Sequence, residues 1–254
     1  MARPAVSFAI LAYEGIEPID IGATYGVLSM AKRLEPKLQF FVVAKSSGEL
    51  TMANGLRLVA DYGFADCPAA EILMVLGGPG WQTASADPSI LAFIDEFHQH
   101  DGTVAGVCTG SMIVAAAGLL AGRPATTKRE IVEGETRPLD LLARRHPDTR
   151  AIAARVVDTG TILTGGGVSL GIDMTLHLIQ RFLGREIAQE TARILEYRDA
   201  WKANAAALPD VIELRGTRCE FAQPGHDELS KDAAKAPSRQ ACAARARKYR
   251  SLHR

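Results

Sequence analysis

The chain has 254 residues, 47% of them hydrophobic, and balances 29 Lys and Arg against 29 Asp and Glu. This is enough apolar material for one main domain with a large core, held without disulfide or metal. Cysteines at 67, 108, 219 and 242 show neither CxxC pairing nor zinc-finger spacing, and no run approaches the roughly 18 apolar residues of a membrane span.

The opening MARPAVSFAILAY lacks the long apolar stretch of a signal or anchor, so a reducing cytoplasm is the expected compartment, with no membrane partner. The zero net charge hides an asymmetry. Residues 215–254 carry ten basic and four acidic side chains, which leaves the body mildly acidic. A domain over 1–213 is expected, followed by a basic, disordered tail over 214–254 in which Gly, Pro, Ser, Ala and charge mix with little apolar periodicity. The acidic body gives no reason to expect nucleic acid; the end QACAARARKYRSLHR forms one basic helix at most.

In chain order, VSFAILA (6–12) reads as a strand buried on both faces. Glu17-Pro18-Ile19-Asp20-Ile21-Gly22 leads into a helix over 23–34, placing Asp20 at the helix entrance. There it is either a carboxylate facing free N–H groups or a functional acid. LQFFVVA (38–44) is a second strand, and residues 49–62 turn at Asn54-Gly55 into a small hairpin beside the main sheet. EILMVL (71–76) is a buried strand running into Gly77-Gly78-Pro79-Gly80-Trp81. That loop is either a tight turn or a place where backbone N–H groups approach a ligand; it lacks the phosphate-loop pattern. PSILAFIDEFHQH (88–100) is an amphipathic helix whose terminal histidines complement its C-terminus rather than bind metal.

Residues 102–125, GTVAGVCTGSMIVAAAGLLAGRPA, then pack a strand (103–107), a sharp turn at Cys108 and a helix (111–120) into one segment. Cys108 stands at the elbow. The N–H groups of Thr109, Gly110 and Ser111 are expected to point at its side chain and favour the thiolate. A free cysteine more often simply fills core space, but the C-T-G-S context after a β-run favours a reactive thiol. A helix follows over 139–145, then β-runs at 150–158 and 161–164, the glycine turn 165–167, and helices over 169–183 and 187–197. This alternation predicts an α/β fold with a mainly parallel sheet. In such a sheet Asp20, the Gly77-Gly78 loop and Cys108 converge on one crevice beyond the strands' carboxyl ends.

The segments VLGGPG (75–80), AGVCTGSMIVAAAGLLAGRPATT (105–127) and LTGGGVSLGIDMTLHLI (163–179) closely resemble the ThiJ/PfpI family of class I glutamine-amidotransferase-like proteins, over about residues 5–200. Within that family the C-T-G elbow, the I-D pair before the first helix and L-E-Y at 195–197 look most like isocyanide hydratases. The resemblance implies a flavodoxin-like sandwich, a nucleophilic Cys108, a partner carboxylate at Asp20 and a homodimer. It also implies an oxyanion-type site from the N–H groups of Gly78 and Thr109, beside Gly77.

The chain departs from its relatives in two places. Where isocyanide hydratases read D-x-x-G-P-x-E it has Asp20-Ile21-Gly22-Ala23-Thr24-Tyr25-Gly26, and where they read A-T-T-H-W it continues Thr127-Lys128-Arg129. Protease members place His directly after the cysteine; Thr109 stands there instead, which argues against peptide hydrolysis. The expected activity is cofactor-free, metal-free hydration of an isocyanide to an N-substituted formamide. Cys108 attacks, Asp20 supplies the proton, and the Thr109 hydroxyl donates to the sulfur or the intermediate. Two alternatives stand beside it: a small-molecule sensor domain of a transcription regulator without its full helix-turn-helix region, and a stress-protective or redox protein acting on reactive aldehydes.

Overall fold

The computed structural model describes residues 6–213; the basic tail lies outside the described residues. β1 (Ser7–Leu11), β2 (Gln39–Ala44) and β5 (Tyr62–Gly63) form one side of the main sheet, and between the last two the hairpin β3 (Gly48–Thr51) and β4 (Arg57–Ala60) stands apart as its own antiparallel pair. Its turn carries Asn54 and Gly55, both at positive φ, as the Asn-Gly signal predicts. β6 (Ile72–Val75) and β7 (Thr103–Val107) are wholly buried, like β1, which is why their sequences run apolar without alternation. A short strand β8 (Pro124–Ala125) pairs with β9 (Arg150–Ala151) in a separate two-stranded sheet. β10 (Val156–Asp158), β11 (Ile162–Gly165) and β12 (Asp210–Ile212) complete the main sheet.

The eight strands run in the order β12-β10-β11-β7-β6-β1-β2-β5, and every adjacent pair is parallel except β10 with β11. The chain is therefore a mainly parallel α/β sandwich, as expected. The four central strands β11, β7, β6 and β1 are neighbours, and their carboxyl ends lie side by side.

The first helix differs from the expected 23–34. It begins at Pro18 as α1 (Pro18–Ile21), passes through a π turn at Gly22–Gly26 and continues as α2 (Val27–Lys32). Proline at the first helical position supplies the preset φ and gives up no hydrogen bond, so the helix starts five residues early and takes Asp20 into its first turn. Trp81–Ala84 forms a one-turn α3, and α4 (Pro88–Gln99) starts with Asp87, whose carboxylate accepts the Ser89 N–H at 2.9 Å. α5 (Gly110–Ala116) is shorter than the expected 111–120, and α6 (Pro138–Arg145) matches. The β-run expected over 150–158 is broken, because its first residues pair with β8 and its last with β11 and β12.

α7 (Leu170–Leu183) and α8 (Arg185–Ile194) follow expectation, whereas α9 (Arg198–Ala207) and β12 carry no sequence signal strong enough to announce them. They are held by a polar network. Arg155, 8% exposed, donates from Nη1 to Asp173 Oδ1 at 3.1 Å and from Nε to Asp210 Oδ1 at 2.8 Å. Tyr197 Oη and Asn204 Nδ2 donate to Asp173 Oδ2 at 2.8 and 2.9 Å. A fully buried carboxylate is thereby neutralised and hydrogen-bonded on both oxygens.

Candidate active site

Cys108 follows β7 directly and has φ +56°, a left-handed conformation costly for a residue with a Cβ. Its backbone is pinned on both sides. The N–H donates to Gly166 O at 3.3 Å, and the carbonyl accepts the Thr127 hydroxyl at 2.7 Å and the Ser111 N–H at 3.3 Å. The turn also needs Gly110, where a Cβ would lie 2.0 Å from the Val75 carbonyl oxygen of the neighbouring strand. Glycine there lets α5 start hard against the sheet and keeps the cysteine at the elbow.

The expectation that three N–H groups of the helix start face the sulfur is corrected. Ser111 N–H is spent on the Cys108 carbonyl. The two N–H groups that favour the thiolate belong to Thr109 and to Val168, the latter in the loop after β11. Nor do they prevail over burial. Cys108 is 4% exposed, and desolvation, with Asp20 beside it, pushes the thiol up to about 12.

Asp20 is completely buried. Gly77 N–H donates to its Oδ2 at 2.9 Å, while Oδ1 is buried without a hydrogen-bond partner. Burial raises its carboxyl to about 7. The Gly77 N–H and the Cys108 thiol act against that rise, Glu17 adds to it, and Lys128 opposes it. Asp20 and Cys108 therefore titrate as one unit. The first proton leaves the pair near neutrality, and the second is held far into the alkaline range. The singly charged pair retains one proton, and in the form with that proton on Asp20 the sulfur is the nucleophile and the carboxyl the acid.

Thr109 and Gly78 also meet, in an arrangement that differs from expectation. Gly78 N–H donates to Thr109 Oγ1 at 3.0 Å, so the Thr109 hydroxyl closes onto this loop rather than onto the sulfur. Gly77 N–H is likewise taken by Asp20. Of the N–H groups expected to make an oxyanion site, only that of Thr109 lies on the sulfur. Gly77 has no room for a side chain: a Cβ would lie 2.6 Å from Thr109 N and 2.9 Å from Asp20 Oδ2.

Four residues join the site without having been singled out from the sequence. Tyr13, at the end of β1, donates its hydroxyl to Leu76 O at 2.9 Å and so fixes the entry to the glycine loop. Thr127 holds the elbow carbonyl, Val168 supplies an N–H, and Lys128 acts on both partners of the pair. The only sequence signals were the A-T-T-K segment and the triple glycine. Among the described residues no group of three or more His, Cys, Asp or Glu could hold a metal ion.

The sequence profile of the DJ-1/PfpI family matches residues 6–181. The chain belongs to the DJ-1/PfpI family. Among curated proteins it is 34% identical over 198 residues to isonitrile hydratase of Pseudomonas putida, covering 77% of this chain and 80% of that one. It is also 25% identical over 197 residues to the transcriptional regulator GbdR of Pseudomonas aeruginosa, where the match spans 77% of this chain but only 52% of the regulator. Among solved structures, a ThiJ/PfpI family protein from Pseudomonas syringae shares 26% identity with a TM-score of 0.64, covering 81% of this chain and 88% of that one. In this DJ-1/PfpI chain the family match ends within α7, so α8, α9 and β12 lie beyond it. No helix among the described residues is long and apolar enough to cross a membrane.

Proposed function

We propose that the chain is a cofactor-free, cysteine-dependent hydratase that converts isocyanides to N-substituted formamides and works as a homodimer in the cytoplasm. The observation that carries this reading is the buried Cys108–Asp20 pair, in which a thiol and a carboxyl, both raised by burial, act on each other's ionisation. The likeness to a curated isonitrile hydratase over most of both chains supports the same substrate class.

The terminal carbon of an isocyanide carries a lone pair and becomes electrophilic as it is protonated. Asp20 gives its proton to that carbon while the Cys108 sulfur attacks it. A C–H and a C–S bond form, the Asp20 O–H bond breaks, and the negative charge passes from sulfur to the Asp20 carboxylate. The product is a neutral thioimidate. Water then adds to its carbon: Asp20 takes up one of the two water protons, and the other passes from the resulting C–OH to the nitrogen as the C–S bond breaks. The formamide leaves, and the Cys108 thiolate and protonated Asp20 are regenerated. The N–H groups of Thr109 and Val168 steady the sulfur as it receives and gives up charge.

Asp20→Asn tests the assignment. It keeps the shape and an acceptor for Gly77 N–H but has no proton to transfer, so isocyanide hydration is expected to fall about 100-fold or more. Activity unchanged in Asp20→Asn would remove Asp20 from the mechanism.

The match to half the length of a transcription regulator favours a second reading, in which the same domain binds a small molecule without converting it. Saturable binding of an isocyanide with no formamide formed would support that sensor role.

A further inference from the structure

Lys128 stands where the sequence leaves the pattern of its relatives, and its placement is unlike that of a surface lysine. A Cβ built on Gly167 would lie 2.7 Å from Lys128 Cβ, 2.8 Å from Lys128 Cγ and 3.0 Å from Cys108 Sγ. The lysine stem and the sulfur therefore pack against one glycine, with Lys128 Cβ and Cys108 Sγ no more than about 6 Å apart, and from there the ammonium acts on Cys108 and Asp20 alike. Its side chain is only 26% exposed, and its ion pair with Glu135 is loose, at 4.0 Å. The segment is anchored from behind, because Leu139 N–H donates to the Lys128 carbonyl at 3.2 Å.

Tyr13 at the end of β1 is buried and its phenol is held neutral. Glu17 at the head of α1 adds negative charge, and Gly77 after β6, Thr109 at the elbow and Val168 before α7 offer N–H dipoles only. Lys128 is a cation that acts on both Asp20 and Cys108.

We propose that Lys128 is the counter-charge of the active-site thiolate: packed on Gly167 beside Cys108, it stabilises the single negative charge of the Cys108–Asp20 pair. The same charge is needed on both sides of the attack, first on sulfur and then on the Asp20 carboxylate. An ammonium carried on that stem favours both. In a site that removes water from two acidic groups, this replaces part of the lost solvation. The proposal rests on Cys108 being the nucleophile and assigns Lys128 a part in the reaction independent of which electrophile is the substrate.

The test is the pH dependence of Cys108 alkylation by iodoacetamide, a neutral reagent, followed by peptide mapping from about pH 5 to about pH 10. Wild type, Lys128→Met and Lys128→Arg are compared. Met keeps the packed stem and removes the charge, so its alkylation midpoint is expected to rise by about one pH unit or more. Arg restores a charge and should bring the midpoint back toward wild type. A Met profile that superimposes on wild type overturns the proposal, as does an Arg profile shifted as far as that of Met, since packing rather than charge would then be the cause. Failure to alkylate Cys108 in folded wild type at any pH, with full labelling after denaturation, would instead overturn the nucleophile reading, and this proposal with it.

Discussion

Asp20 is destabilising where it sits. Its carboxyl is pushed up to about 7 in the folded protein, from the roughly 4 of an exposed aspartate, because burial outweighs its hydrogen bond from Gly77. The folded state therefore holds a proton that the unfolded chain gives up. From about pH 4 to about pH 7 the unfolded chain is favoured progressively, to a total of about 4 kcal/mol; above that both states are ionised and the loss is complete. Asn cannot ionise and escapes this loss. The stability of Asp20→Asn relative to wild type is thus expected to increase across that window and then level off, read by thermal denaturation at a series of pH values. A difference independent of pH would mean that Asp20 ionises freely in the fold. The same residue explains why the thiol cannot be judged alone. A cysteine raised to about 12 looks inert beside Cys67, raised to about 11. Of these two, Cys108 alone stands beside a carboxyl that loses a proton near neutrality.

At the scale of elements, the elbow was largely legible in the sequence. The β-run before Cys108, the C-T-G-S turn and the alanine-rich helix all report local geometry, and glycine at 110 reports a collision with Val75 that any side chain would cause. The start of the first helix was misread because apolar periodicity begins at Ala23, whereas Pro18 had already set the helix and a π turn absorbs the mismatch. The hydrogen bonds of the Thr109 hydroxyl and of Gly78 were not legible. They depend on the distance between two loops from different strands, which no local pattern encodes. Gly77→Ala probes that junction. Its Cβ would meet Thr109 N and Oγ1 at 2.6 Å, so the glycine loop and the elbow must separate. A stability loss of about 1–3 kcal/mol is expected, together with slower alkylation of Cys108. Normal stability and normal thiol reactivity in Gly77→Ala would show that the two loops are not coupled.

Across the whole molecule, the parallel sheet followed from alternation of buried strands and helices, but its order did not. The adjacency of β11, β7, β6 and β1 brings four loops together, where the sequence offered three. The last elements were silent for a physical reason. α9 has no fully buried residue, and β12 is three residues long, so neither carries much apolar pattern. What holds them is a polar cluster drawn from four separate segments, and Arg155 is its centre. Replacing Arg155 with Met leaves the buried Asp173 without its counter-charge. It also releases Asp210 on β12, for an expected loss of about 3–5 kcal/mol. Chemical denaturation measures this directly, and a loss below about 1 kcal/mol would mean that the cluster adds little to the docking of the C-terminal strand.

Whether Cys108 hydrates isocyanides is tested by formamide production from a panel of alkyl and aryl isocyanides, with wild type and Cys108→Ser in parallel. Wild type is expected to form the matching N-substituted formamide catalytically, with none above the uncatalysed rate from Cys108→Ser. Equal rates from the two proteins, or no formamide from any isocyanide with a correctly folded wild type, would contradict the hydratase reading.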